Sequence, residues 1–321
     1  MNSFTPGKHG YASYSGPLHL RADVCIIGAG AGGCATAAAL ADAGLKVVVL
    51  EEGRHWEPAD FRQETAYALT HLYQNRALRT LRGNAIIPMP GGRGVGGSTL
   101  INSAICFKTP PEVMRRWREQ DGCERVTDEL FNPYFDRIWR TLGIGVNPVA
   151  VQRNNNLIFR DGVEKLGLKG DFMARSAPGC VGCGICQLGC PTGGKLSADR
   201  TFLNEAIARG TVGVYADCRI SGLETRGDRV VAVTGEVLDP ESQEARGVVR
   251  VEADTFVLAA GPVRTPDFLL SHGLARNEHC GNHLVIHPTT ALMAKLLPVA
   301  PPISRSPPPL PLKLVVVIVP S

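Results

Sequence analysis

Near its start the chain gathers apolar residues into short unbroken runs. Val24–Ile27 and the run Lys46–Leu50 read as strands buried on both faces, as in a parallel sheet. Between them, the small residues of Cys34–Ala43 predict a helix that stops at Gly44. Phe61–Leu72 is a helical patch, and Pro111–Leu142 carries a helical pattern in which Thr127 is the N-cap and Asp128 and Glu129 fill the first turn. In it, Leu130, Tyr134, Ile138 and Leu142 recur at helical spacing beside Phe131, Phe135 and Trp139, a face expected in the core. Another helix is predicted over Asn155–Leu166, ending at Gly167, and one over Asp199–Ala208. Short strands follow at Val212–Tyr215, Arg219–Leu223, Arg229–Val237 and Val248–Val251. A buried apolar strand, Thr255–Ala260, ends at Gly261-Pro262 ahead of a helix near Thr265–Ser271. The alternation predicts an α/β fold with a Rossmann-like parallel sheet flanked by helices. From Pro298 onward proline is the commonest residue, with no helical or strand period.

Composition narrows the class. The chain has 321 residues, 44% apolar and 20% charged, which suits a globular protein with a sizeable core. Its net charge of +4 is small and dispersed, with no basic run interleaved with aromatics, so nucleic acid is not an expected partner. The N-terminus lacks the apolar core of a secretory signal, and Leu314–Val319 is far short of a membrane span, so membrane association is not indicated. Ten cysteines without an export signal suggest thiols or metal ligands in a reducing, cytoplasmic setting.

The candidate chemistry begins at Gly28-x-Gly30-x-x-Gly33. In a dinucleotide unit Gly28 permits the tight turn, Gly30 lets the backbone approach a pyrophosphate, and Gly33 lets the helix lie close on the strand. The helix N-terminus offers unpaired N–H groups to the phosphates, and Glu51 at the end of the second strand can accept hydrogen bonds from a ribose. The second stretch is Gly91–Phe107, with five glycines in its first seven residues. Such a run either forms a tight structural turn or presses backbone against a cofactor, with Ser98-Thr99 placed to cap a following helix.

Three blocks together resemble the glucose–methanol–choline (GMC) family of flavin oxidoreductases: the GAGAGG turn with Glu51, GGRGVGGSTLINSAICFKTP at 91–110, and VLAAGPVRTPDFLLSHG at 257–273. The resemblance runs from about Arg21 to Thr290. It implies FAD as the dinucleotide, held by Gly28, Gly30, Gly33 and Glu51. Gly96, Gly97, Ser98 and Asn102 would run along the pyrophosphate and isoalloxazine, Ile220 would meet the adenine through its backbone, and Gly261 would close the sheet near the cofactor. The implied reaction is of the EC 1.1 type: hydride transfer from an alcohol CH–OH to flavin N5, with a small-molecule alcohol and an electron acceptor as partners.

The resemblance also implies a division of the chain. Residues 1–21 would be a flexible arm, and 21–125 with 200–275 a discontinuous FAD-binding domain. Residues 126–199 with 276–297 would be an incomplete α+β substrate region, and 298–321 an aberrant proline-rich tail. The family's catalytic His lies in a C-terminal part with no match here, so no catalytic base is assigned; His287 matches a position that is not catalytic. The chain therefore reads as a C-terminally truncated or altered alcohol dehydrogenase or oxidase. The alternatives are a catalytically silent FAD-binding fragment and an iron–sulfur electron-transfer subunit.

Finally, Cys180-x-x-Cys183-x-x-Cys186-x-x-x-Cys190-Pro191 has the spacing of a bacterial ferredoxin cluster loop. Since the fourth cysteine of such a run can serve another cluster, Cys218 or Cys280 are remote ligand candidates, and three ligands would suit a three-iron cluster. The loop also resembles a similar segment leading into Gly-Lys-x-Ser, here Gly194–Ser197, in a subset of the family akin to long-chain alcohol oxidases, and that resemblance implies the alternative of a structural loop near the substrate channel. Zinc is the third alternative, though the gaps are cramped for it.

Overall fold

The computed structural model describes residues 4–286, 289–296 and 313–320, the last two ranges as backbone only. His287 and residues 298–312 of the tail lie outside them. The chain divides into a larger unit, Met1–Gly145 with Ala174–Asn282, and a smaller one, Val146–Met173 with His283–Ser321.

In chain order the strands are β1 (Gly7–His9), β2 (Leu18–Ile27), β3 (Val47–Leu50), β4 (Thr80–Arg82), β5 (Ile86–Pro88), β6 (Gly145–Val146), β7 (Ala174–Arg175), β8 (Val212–Tyr215), β9 (Cys218–Arg226), β10 (Arg229–Leu238), β11 (Ala245–Leu258), β12 (Thr289–Leu296) and β13 (Lys313–Pro320). The helices are α1 (Ala31–Asp42), α2 (Thr65–His71), α3 (Pro111–Glu119), α4 (Asp128–Thr141), α5 (Asn154–Lys165), α6 (Asn204–Ala208) and α7 (Gly261–Ser271).

The larger unit is built on a seven-stranded sheet in the order β1-β8-β3-β2-β11-β10-β9. From β1 to β11 neighbours run parallel; β10 and β9 add an antiparallel edge. All four residues of β3 are buried, which at roughly 1.5–3 kcal/mol per large apolar side chain makes this strand the anchor of the sheet. One face packs under α1, where Cys34, Ala37, Ala38 and Ala41 meet Ile26, Val47, Val49 and Leu203. The other face gathers Cys25, Ile27, Val48, Leu50, Cys218, Val249 and Val251. Small residues on α1 let the helix axis approach the sheet, which sets the position of its N-terminus.

Several elements differ from the sequence reading. Residues 1–21 are not an arm throughout: β1 pairs with β8, and β2 begins at Leu18, alternating buried and exposed residues before the buried run. The segments 248–251 and 255–260 merge into one strand, β11, because β2 pairs along it in continuous parallel register from Val249↔Leu18 to Leu258↔Ile27. Residues 199–208 open as a π-helical turn, Asp199–Leu203, before α6. The helical stretch 111–142 divides into α3 and α4, with Thr127 Oγ1 accepting from the Leu130 N–H at 3.3 Å as the cap of α4. The expected core face of α4 is only half used: Ile138 and Leu142 pack on the sheet cluster, while Leu130 and Tyr134 are 39% and 60% exposed.

In the smaller unit α5 ends where Gly167 takes a left-handed conformation. Here β12 pairs antiparallel with β13, from Thr289↔Pro320 to Leu296↔Lys313. The tail thus holds a strand although its sequence shows no strand period: β13 contains the β-branched run Val315–Val319, which suits a ladder.

Candidate functional site

The site is a plate of glycine backbone at the C-terminal ends of the parallel strands, where ligands of open α/β sheets bind. β2 ends at Gly28, whose φ of +105° and closeness to the Ala259 carbonyl exclude any side chain. Gly33 is equally constrained, since a Cβ there would lie 1.9 Å from the Gly28 carbonyl oxygen. The two residues hold the start of α1 against the strand ends.

The second glycine block docks on this turn. The Gly96 N–H donates to the Ala29 carbonyl at 2.8 Å, and a Cβ on Gly97 would fall 2.7 Å from Gly30 Cα. Gly92 and Gly94 fit against Gly97 and Trp56 with equally little room. Ser98-Thr99 do not cap a helix. They lie inside one 3-10 turn, Gly97–Leu100, where Ser98 Oγ accepts from the Gly92 N–H at 3.0 Å and Thr99 Oγ1 donates to the Gly96 carbonyl at 2.5 Å. The corner is too sharp for a helix because Gly96 and Gly97 both carry positive φ.

Gly30 differs from its neighbours. Its φ of −79° is open to any residue, and a Cβ on it would meet nothing within 4 Å. It is the N-cap of α1, no side chain caps the helix, and no acidic residue sits in its first turn. Beside it Ala31, Gly32, Ser98 and Asn102 are exposed, while Gly33, Gly96 and Gly97 are buried. The arrangement is a shallow cradle floored by backbone, with a positive helix end at one side.

Glu51 closes the other side. Its carboxylate accepts from the N–H groups of Ala29 at 2.9 Å, Gly53 at 3.0 Å and Gly94 at 3.2 Å, so it ties together the first turn, its own loop and the second block. Burial raises its carboxyl to about 7, against the lowering effect of those donors. Next to it opens a cavity of about 280 Å³ lined by Gly53, Arg54, Trp56, Arg93, Asp217 and Arg264 among others. Ile220 sits in β9 opposite Gly235, two residues beyond Cys218, whose N–H donates to the Glu51 carbonyl at 2.8 Å. Gly261, φ +88°, begins α7 just after the Ala259 carbonyl that abuts Gly28. Of the ten residues expected around the cofactor, Gly28, Gly30, Gly33, Glu51, Gly96, Gly97 and Gly261 thus gather at the ends of β2, β3 and β11, while Ser98 and Asn102 continue the second block and Ile220 lies in β9.

The sequence model of the GMC oxidoreductase family matches residues 23–289. The chain belongs to the GMC oxidoreductase family. An uncharacterized GMC-type oxidoreductase of Mycobacterium tuberculosis is 33% identical over 281 residues, 87% of this chain and 44% of the relative. A long-chain-alcohol oxidase of Arabidopsis thaliana is 28% identical over 277 residues, 84% and 37% of the two chains. The chain spans less than half the length of these relatives. Among solved structures, a formate oxidase of Aspergillus oryzae, studied for its FAD modification, superposes with a TM-score of 0.60 at 16% identity over 88% of this chain and 55% of that one. Pyridoxine 4-oxidase from Mesorbium loti gives 0.57 at 18% identity over 77% and 51%. These two likenesses establish the fold.

The cysteine loop of this GMC chain does not form the metal site its spacing suggests. Among the described residues no three His, Cys, Asp or Glu side chains are placed to hold a metal ion. Cys186 Sγ accepts from Arg175 Nη2 at 3.0 Å, and Cys180 Sγ lies 3.9 Å from Arg175 Nη1. Cys190 Sγ contacts Thr192 Oγ1 and accepts from the Lys195 N–H, and Cys183 is exposed. Burial raises the Cys190 thiol, but hydrogen bonds from Thr192, Lys195 and Gly194 outweigh it and leave the thiol lowered. Cys218 is buried under the sheet beside Tyr14, its thiol pushed up to about 12 by burial. The donor set does not fit an iron–sulfur cluster or zinc: Cys180 and Cys186 are turned to the Arg175 guanidinium, Cys190 to Thr192 and the Lys195 amide, and Cys183 to solvent.

The sequence reading passed over Lys195. It is buried, and its ammonium donates to the carbonyls of Leu100, Asn102 and Cys186 at 2.7, 3.0 and 3.1 Å. Burial lowers its pKa to about 8. Its one sequence signal is the place between Gly194 and Leu196 in the Gly-Lys-x-Ser stretch.

Proposed function

We propose that this chain is the FAD-binding part of a GMC oxidoreductase that oxidises an alcohol CH–OH group. The observation that carries the reading is Gly30: a buried glycine plate surrounds it, yet nothing in the protein requires a glycine at that position. A backbone left bare at a helix N-terminus suits a pyrophosphate lying directly on it. The long-chain-alcohol oxidase likeness supports an alcohol as the substrate class.

In this reading the N–H groups at the start of α1 take the pyrophosphate, and the cavity beside Glu51, lined by Arg54, Arg93 and Arg264 among others, takes the adenosine end of the dinucleotide. Glu51 accepts from ribose hydroxyls on the lone pairs its three backbone donors leave free. Ile220 flanks the adenine, and Gly96, Gly97, Ser98 and Asn102 line the path toward the isoalloxazine. Bound FAD supplies the hydride acceptor. The chain's residues bind and orient it, and no base for the alcohol proton is assigned among them.

Titrating FAD into the purified chain tests the reading through quenching of flavin fluorescence. Wild type is expected to bind FAD, and Gly30→Ala to bind about tenfold more weakly or worse, with a melting temperature within about 2 °C of wild type. Failure of wild type to bind FAD, or equal binding by Gly30→Ala, overturns it.

A further inference from the structure

The segment Lys195–Asp199 backs the second glycine block along its length. Lys195 Nζ reaches the carbonyls of Leu100 and Asn102, the Ala198 N–H donates to Thr99 Oγ1 at 3.0 Å, and the Asp199 carboxyl occupies the space a Cβ on Gly96 would need. The third Lys195 donor goes to the Cys186 carbonyl, at the start of a short 3-10 turn. That turn is held independently: Tyr73 Oη donates to the Gln187 carbonyl at 2.9 Å, and Gln187 Nε2 donates to Ser103 Oγ at 2.9 Å. At its neck the loop is closed by backbone contact between Gly179 and Gly194, where a Cβ on Gly194 would fall 2.1 Å from the Gly179 carbonyl oxygen.

We propose that Lys195 is a positioning residue for the cofactor site: it clamps the Leu100–Asn102 end of the glycine block to the cysteine loop. The proposal rests on the FAD reading for its consequence and on hydrogen-bond geometry for its existence. An ammonium has three donors and here spends all three on converging carbonyls from two segments. An apolar side chain of the same length would fill the volume, strip the donor from the Leu100 and Asn102 carbonyls and leave the Cys186 carbonyl only the Gly189 N–H at 3.3 Å. Arg would keep the charge, but its planar fork cannot match three carbonyls arranged around one point. The cysteine loop thereby gains a role that needs no metal. It is the fixed abutment against which the flavin-side wall is tied.

The block itself carries protected amides that report on this clamp, since the N–H groups of Thr99, Ile101 and Asn102 bond to Gly96 and Ser98 carbonyls. Hydrogen exchange and FAD titration on the full chain, for wild type, Lys195→Met and Lys195→Arg, test the proposal. In Lys195→Met the amides of 99–102 are expected to exchange about tenfold faster while those of Val47–Leu50 are unchanged, and FAD to bind about tenfold more weakly; Lys195→Arg falls between. Wild-type affinity in Lys195→Met, or exchange raised equally in both segments, overturns the proposal. Should Lys195→Met not fold, Lys195→Arg decides: faster exchange at 99–102 alone supports the clamp, and unchanged or uniform exchange sinks it. If wild type binds no FAD, the functional reading fails while the exchange arm still judges the clamp.

Discussion

The glycine turns and the cysteine loop are both runs of special residues at close spacing, and the structure treats them in opposite ways. At Gly28, Gly33, Gly92 and Gly97 the residue type is enforced by backbone on the far side, so the spacing and the fold are one constraint. At Cys180, Cys183, Cys186 and Cys190 nothing forces convergence: the thiols address Arg175, Thr192, the Lys195 amide or solvent. A spacing pattern specifies geometry when sterics leave a single arrangement. It specifies much less when the side chains have freedom to turn to other donors.

Gly33→Ala is the severest test of the first half of that contrast. The added methyl would sit 1.9 Å from a backbone carbonyl in a fully packed layer, with no flexible side chain to yield. It is expected to cost about 3 kcal/mol or more, read as a large fall in melting temperature or loss of soluble protein. Beside the silent effect on stability expected for Gly30→Ala, the pair separates a glycine the fold requires from one a ligand requires. A stable Gly33→Ala would show that α1 can lift from β2, and the steric account would fall.

The same distinction explains what was legible in the sequence. Strand, glycine turn, helix and second strand were readable because each depends on neighbours in the chain. β2 extends back to Leu18 because of its parallel pairing with β11, a partner more than two hundred residues away that no local pattern announces. The burial of α4 was overestimated because helical spacing says which residues share a face, not whether a partner covers it; Leu130 and Tyr134 stay exposed. Glu51 was readable as an acid at the end of a strand, but not as the knot joining Ala29, Gly53 and Gly94. Lys195 was invisible as a site residue, since a lysine in sequence reads as surface until its three acceptors are seen.

Glu51 sharpens the comparison through pH. Its folded carboxyl is raised from 4.5 to about 7, so the folded state holds a proton that the unfolded chain releases. Its contribution to stability is therefore full below pH 4.5, falls as pH rises toward 7 and is lost above that. Ribose binding runs the other way, because only the carboxylate accepts on both oxygens. FAD affinity should rise between about pH 6 and 8 while this part of the thermal stability declines from about pH 4.5 to 7, and Glu51→Gln should flatten both profiles. Parallel melting and FAD titrations over that range check the opposed slopes; slopes of the same sign would refute Glu51 as the titrating group.

The smallest effect is expected at Cys183. Its side chain is exposed, so Cys183→Ser should change stability by no more than about 0.5 kcal/mol and leave FAD affinity unchanged. A cluster ligand would behave otherwise: anaerobically purified wild type would carry iron and acid-labile sulfide in fixed proportion to chain, and the substitution would remove or deplete both. The expected result is protein without stoichiometric iron and a silent Cys183→Ser, with Lys195→Met the damaging change in the same loop. Stoichiometric iron lost on Cys183→Ser would reverse the contrast, because the four thiols would then have to converge. The loop would be held by metal as firmly as the glycine plate is held by backbone.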